Sequence, residues 1–153
     1  MKPRFAVLAL VALLAVPAVA SAQEKYIEML RNDIKAEKTA LLTAGLHLTD
    51  AEAQKFWPIQ RQYELEFTKI QDARIALVKE YIGAMAALTP EQAKSIGTRA
   101  LKLEGDRNAL KKKYFGSISK AVSPVVAARY MQLETFIQNL IDVQVQGEMP
   151  AVP

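Results

Sequence analysis

The stretch FWPIQRQYELEFTKIQDARIALVKEYIGAMAALTPEQ, Phe56 to Gln92, decides the fold. Steps of four and three residues from Phe56 reach Gln60, Tyr63, Phe67, Ile70, Arg74, Leu77, Tyr81, Ala84 and Leu88. Eight of these ten positions are apolar or aromatic. That spacing marks one face of an amphipathic helix and excludes the two-residue alternation of a half-buried strand. A helix from about Asp50 to Ala87 would be about 55 Å long at 1.5 Å per residue.

The stretch closes on Leu88-Thr89-Pro90-Glu91-Gln92, and a near copy, Leu48-Thr49-Asp50-Ala51-Glu52, precedes it. Both have the chemistry of a helix start. The Thr49 hydroxyl can accept from the N–H of Glu52, and the Glu52 carboxylate can reach back to the N–H of Thr49, a capping box. Thr89 and Gln92 repeat the arrangement, with Pro90 at the first helical position, where a missing N–H costs nothing. Leu48 and Leu88 precede the caps and can pack on the first turn. Two long helices joined by so short a turn must run antiparallel.

Outward from this pair, Ala93, Ile96, Ala100, Leu103, Arg107, Leu110, Tyr114, Ser117 and Ala121 trace a third helix. Ile27, Leu30, Ile34 and Leu41 trace a shorter first one. Val126, Tyr130, Leu133, Ile137 and Leu140 trace a fourth, opened by Ser123-Pro124. The expected class is all-α: an elongated, antiparallel, four-helix hairpin-like bundle. Pro58, two turns into the second helix, removes the bond to the Gln54 carbonyl and is expected to bend it. Gly97, Gly105 and Gly116 dilute the third helix. The reading is close helix contacts at these glycines, or else looseness in a surface that adapts.

The chain begins MKPRFAVLALVALLAVPAVASAQ. Lys2 and Arg4, an apolar run from Phe5 to Val16, and small residues at Ala20-Ser21-Ala22 have the order of a secretory signal peptide cut after Ala22. The apolar run is short for a membrane span, so no stable membrane insertion is expected after cleavage. This gives a signal peptide at 1–22, a helical domain at 23–147 and a short tail at 148–153. There is no cysteine, so neither a lipid anchor at the cut nor a disulfide is available, and core packing must hold the domain together. Loss of Lys2 and Arg4 lowers the formal charge from +4 to +2. The residues from Lys94 to Lys120 hold eight basic and two acidic side chains. In an exported protein such a run points to acidic peptides or anionic surfaces rather than nucleic acid.

The patterns of catalysis are missing. His47 is the single histidine and stands in the loop before Thr49, so no His- or Cys-based metal site and no Glu-x-x-His pair is expected. No nucleophile–base arrangement, phosphate loop or haem motif stands out. The expectation is a protein that is not an enzyme and takes no cofactor.

The doubled Leu-Thr helix start in an exported, cysteine-free, all-helical chain resembles the Spy/CpxP family of periplasmic proteins, marked by two LTxxQ motifs. The second copy, Leu88 to Gln92, matches; the first has Glu52 in place of glutamine. Phe56-Trp57-Pro58-Ile59 with Tyr63-Glu64-Leu65-Glu66, and Ala128-Arg129 with Gln132 and Glu134, also resemble segments of secreted proteobacterial proteins over nearly the whole exported part. The family resemblance implies a curved, dimeric cradle in the periplasm that acts as an ATP-independent chaperone or a stress-response modulator. Its concave face would combine basic and apolar residues. Lys102, Arg107, Lys111, Lys112, Lys113, Phe56 and Trp57 are the candidates to touch unfolded or acidic clients. Three consecutive lysines cannot share one direction on a helix, so one or two of Lys111–Lys113 would face a client. The alternatives are a modulator docking on the periplasmic domain of an envelope stress sensor kinase and, less favoured for want of ligands, a metal-responsive periplasmic protein.

Overall fold

The computed structural model describes residues 36–147, and every element in that range is helical. The expected signal peptide and tail, and Ile27, Leu30 and Ile34, lie outside the described residues. α1 is described over 36–46. α2 spans Asp50–Ala84 and ends in a single 3₁₀ turn, Met85–Ala87. α3 spans Pro90–Ala121 and α4 spans Pro124–Gly147. The chain divides into two compact units, Met1–Leu41 and Leu42–Pro153. In the described part of the first, Leu41 is half exposed, so it does not line a core as expected.

The second unit is an up-down-up set of helices. Both capping boxes form. Thr49 N–H donates to Glu52 at 2.9 Å and Glu52 N–H to the Thr49 hydroxyl at 3.3 Å. Thr89 N–H donates to Gln92 at 3.0 Å and Gln92 N–H to the Thr89 hydroxyl at 3.2 Å. The backbone bond at Thr49 holds the Glu52 carboxyl below its ordinary range. α4 opens with Val126 N–H donating to the Ser123 hydroxyl at 3.2 Å. α1 stops at His47, whose φ of 50° turns the chain through the left-handed region, an uncommon conformation for a residue with a side chain. Pro58 sits inside α2 on its exposed side.

The core takes eight residues from the traced stripes and four that they missed, Leu42, Leu46, Ile118 and Ala127. Leu42 and Leu46 of α1, Phe56, Tyr63 and Phe67 of α2, Leu110, Tyr114 and Ile118 of α3, and Val126, Ala127, Tyr130 and Ile137 of α4 form one buried cluster. Its centre is aromatic. Tyr130 meets Phe56 and Tyr63 edge-on at 5.3 and 5.8 Å, and Tyr114 meets Tyr63 at 5.4 Å. These rings keep α2 and α4 apart: among the described residues no Cα of one comes within 8 Å of a Cα of the other.

The reading of close helix contacts at the α3 glycines fails, as does that of Leu140 inside. A Cβ added at Gly97, Gly105 or Gly116 would meet nothing within 4 Å, so these glycines mark no close helix contact. The close approach is at Gly45, where a Cβ would lie 2.7 Å from Leu133 Cδ1. Leu140, expected inside, is 51% exposed. Its inward place goes to Glu134 and Gln138, which are buried with Ile137.

Candidate client-binding surface

The basic run of α3 does not form one surface. At 100° per residue, Lys102 and Lys113 share a direction, Arg107 and Lys111 share another, and Lys112 takes a third. Lys113 reaches α2 and binds both oxygens of Glu66 at 2.7 Å, while its ammonium lies 5.1 Å from the Tyr114 ring centre. Hydrogen bonds from Lys113 and Tyr114 hold the Glu66 carboxyl below its ordinary range. Lys102 pairs with Asp106 one turn on and stays largely exposed. Lys112 is exposed.

Arg107 and Lys111 turn toward α4. Arg107 binds Asp142 at 2.8 Å and Arg74 of α2 binds the other Asp142 oxygen, so one carboxylate ties three helices. Burial works against the Asp142 carboxylate, but the two guanidinium hydrogen bonds outweigh it and hold its pKa low. The same bond raises Arg107 against its own burial. Lys111 donates to Thr135 at 3.2 Å; burial, then the neighbouring Arg107 charge, push its pKa down. These two cations hold the bundle together and are not presented to a client.

Phe56 is likewise removed from the candidate set, because its ring is fully buried between Trp57 and Tyr130. Trp57 is half-buried beside exposed Pro58, and with Asp50, Gln54 and Arg61 it lines a shallow, open depression on α2. A second open depression, between α2 and α3, is lined by Glu66, Lys69, Ile70, Asp106, Leu110 and Lys113 and so mixes both signs of charge. Neither encloses a small molecule as a ligand pocket does. Among the described residues no group of three His, Cys, Asp or Glu side chains is placed to hold a metal ion, and no helix is long and apolar enough to cross a membrane.

The surface that sequence reasoning missed is the far end of the α2–α3 hairpin. Arg74 and Arg107 meet α4 at Asp142, five residues before α4 ends, whereas α3 begins 17 residues before Arg107. At 1.5 Å per residue, about 18 Å of hairpin extends past the end of α4. Here Leu77 and Tyr81 of the α2 stripe stay buried, and the exposed large apolar side chains lie off the two stripes. Ile75 is 36%, Ile82 49% and Leu101 76% exposed, and Ala93 and Ala100, expected inside, are exposed. Around them lie the Arg99–Glu80 pair across the hairpin and Lys102 with Asp106. Helix length could have signalled this end: α4 is 24 residues long against 35 and 32 for α2 and α3.

Comparison with family models, curated proteins and solved structures finds no match to this chain.

Proposed function

We propose that this chain is a periplasmic, ATP-independent chaperone-like protein of the Spy/CpxP kind, which holds unfolded polypeptides on the outer part of its α2–α3 hairpin. The observation that carries the reading is the group of large apolar side chains on the outer part of the hairpin, Ile75, Ile82 and Leu101, exposed among charged side chains. Exposed apolar side chains ringed by charge suit extended, variable segments: apolar contact supplies attraction, and flanking charges allow weak, reversible capture. The two Leu-Thr caps support it through the family resemblance, with no cofactor and no reaction invoked. Lys102 and Lys112 remain the candidate basic contacts, since Arg107 and Lys111 are engaged with α4 and Lys113 with Glu66.

Light scattering of a reduced, aggregating test protein checks the proposal. Equimolar chain is expected to suppress aggregation, and the Ile82→Ser, Leu101→Ser double variant to lose most of the effect while keeping its helicity. Absence of suppression by the unmodified protein sinks the reading. Capture from a periplasmic extract of one stoichiometric partner, in place of many, would transfer the hairpin to the sensor-modulator alternative.

A further inference from the structure

α3 packs into the bundle through Leu110, Tyr114 and Ile118, and the arc on its opposite side carries cations without partners. Steps of four and three from Lys94 pass through Leu101 and Gly105 to Lys112 and Phe115, all of them exposed. Lys120 stands within a quarter-turn of this line. Between residues 94 and 120 the arc holds no carboxylate. Glu104 and Asp106 lie beyond its two edges and are paired, with Arg107 at 3.5 Å and Lys102 at 2.6 Å. Arg99, Arg107 and Lys113 are satisfied within the bundle by Glu80, Asp142 and Glu66. Lys94, Lys112 and Lys120 pair with no carboxylate among the described residues. The residues from Lys94 to Lys120 hold eight basic and two acidic side chains, +6, whereas the chain from Gln23 onward sums to +2, which leaves −4 for the rest. Two large apolar side chains stand in the same arc, Leu101 at 76% and Phe115 at 40% exposure. Gly97, Gly105 and Gly116 lie there too, with open space where a Cβ would be, so no packing inside the bundle requires them.

We propose that this arc of α3 lies flat on an anionic lipid surface, with Lys94, Lys112 and Lys120 among the headgroup phosphates and Leu101 and Phe115 dipping to the acyl boundary. The chemistry is complementary: unpaired ammonium groups meet phosphates, two apolar side chains meet hydrocarbon, and no carboxylate repels the surface. The geometry suits a plane. Lys94 and Lys120 are about 39 Å apart along the helix at 1.5 Å per residue, and the glycines between them let the backbone approach closely. An acidic peptide would need pockets for its side chains, and Leu101 and Phe115, about 21 Å apart with bare glycines between, build none. A fluid surface needs no pocket. Each lysine at such a surface raises partitioning about fivefold, so the three give about a hundredfold, and the binding is peripheral and salt-sensitive. The inference goes beyond client holding and is read with no client present.

Vesicle flotation tests it. The form expected after cleavage, from Gln23 onward, is used so that the apolar run from Phe5 to Val16 does not carry the chain to lipid. It is expected to float with vesicles of phosphatidylglycerol and phosphatidylcholine in equal parts and to stay behind with phosphatidylcholine alone. About 1 M salt, which shortens the reach of each charge to about 3 Å, should release it. The Lys94→Gln, Lys112→Gln, Lys120→Gln variant should lose about a hundredfold in partitioning with its helicity unchanged. Lys55→Gln, Lys69→Gln, Lys79→Gln removes as many exposed charges from α2 and should lose far less. No flotation, or equal flotation with phosphatidylcholine alone, overturns the proposal. Equal losses in the two triple variants overturn it, because net charge rather than this arc would then set the binding. Capture by soluble polyglutamate without vesicle binding also overturns it and leaves the arc to an acidic protein.

Discussion

Replacing Gly97, Gly105 and Gly116 together by alanine tests how α3 is built. All three lie in the interior of a 32-residue helix. A Cβ at any of them meets no atom within 4 Å, so the change creates no clash and fills no gap. What remains is intrinsic helix propensity: alanine restricts the unfolded chain and suits the helical backbone, worth about 0.5–1 kcal/mol per site. The sites are eight and eleven residues apart and share no partners, so the gains should add to about 1.5–3 kcal/mol. For a domain of this size 1 kcal/mol moves the midpoint by about 3–5 °C, giving a rise of about 5–15 °C. Calorimetry and guanidinium melts followed by circular dichroism would measure it. Gly45→Ala is the contrast, because Leu133 must move to admit the Cβ. It should cost about 1 kcal/mol as an overpacked site. A triple variant that melts at or below the unmodified midpoint would refute the reasoning, since α3 would then be packed against something at those glycines. If the triple variant is more stable yet suppresses aggregation less, looseness of α3 is part of how it holds clients.

Three further outcomes follow from the same structure. Asp142→Ala leaves the Arg74 and Arg107 guanidiniums facing each other, both side chains under a quarter exposed; a loss of about 2–3 kcal/mol in urea melts is expected, and a loss below 0.5 kcal/mol would show the clamp to be incidental. Asp142, Glu66 and Glu80 are held low by their cationic and hydroxyl donors, so the folded state favours their ionised forms; their stabilisation is complete above the ordinary carboxylate pKa and is lost as pH falls below about 4. Urea melts between pH 7 and pH 3 should show that decline, shallower in Asp142→Asn, with the two exposed glutamates contributing little. Pro58→Ala restores a donor to the Gln54 carbonyl on the exposed side of α2 and should raise the melting midpoint, by up to about 3 kcal/mol of stability; a fall would mean the ring is fitted into the packing around Trp57.

The long helices were legible because their information is periodic. The four-three steps from Phe56 pass through all six buried positions of α2, namely Phe56, Gln60, Tyr63, Phe67, Leu77 and Tyr81. The caps were legible because their chemistry is local: Thr49 and Glu52, or Thr89 and Gln92, are three residues apart and need no tertiary partner. Legibility ends where burial depends on another helix. Ala93 and Ala100 continue the α3 stripe and still face solvent, since α4 stops short of them. Arg107 and Lys102 look alike in sequence, but Arg107 faces Asp142 across 35 residues of chain and Lys102 faces its own next turn. Phe56 heads the α2 stripe and is by sequence also a candidate client contact; its burial keeps the first reading and removes the second, while one helical step of 100° leaves Trp57 half-buried.

α4 shows most clearly why counting apolar positions is insufficient. It has two apolar stripes, one through Val126, Tyr130 and Ile137 and one through Phe136, Leu140 and Val143, and only the first is buried. Area alone discriminates poorly between them, since rotating the helix would exchange one set of large side chains for another. The polar contacts do discriminate. Rotation would strand the Tyr63 hydroxyl without Glu134, and Arg74 and Arg107 without Asp142, at sites poorly exposed to water. An unpaired buried group costs about 1–3 kcal/mol and more when charged, so three such losses outweigh any plausible difference in apolar area. The same bonds set the level of α4 along α2: Tyr63 reaches Glu134 and Arg74 reaches Asp142, offsets of 71 and 68 residues. A slide by one turn would break both. Charges buried in this core therefore act as address labels for a helix whose apolar residues fit either way round.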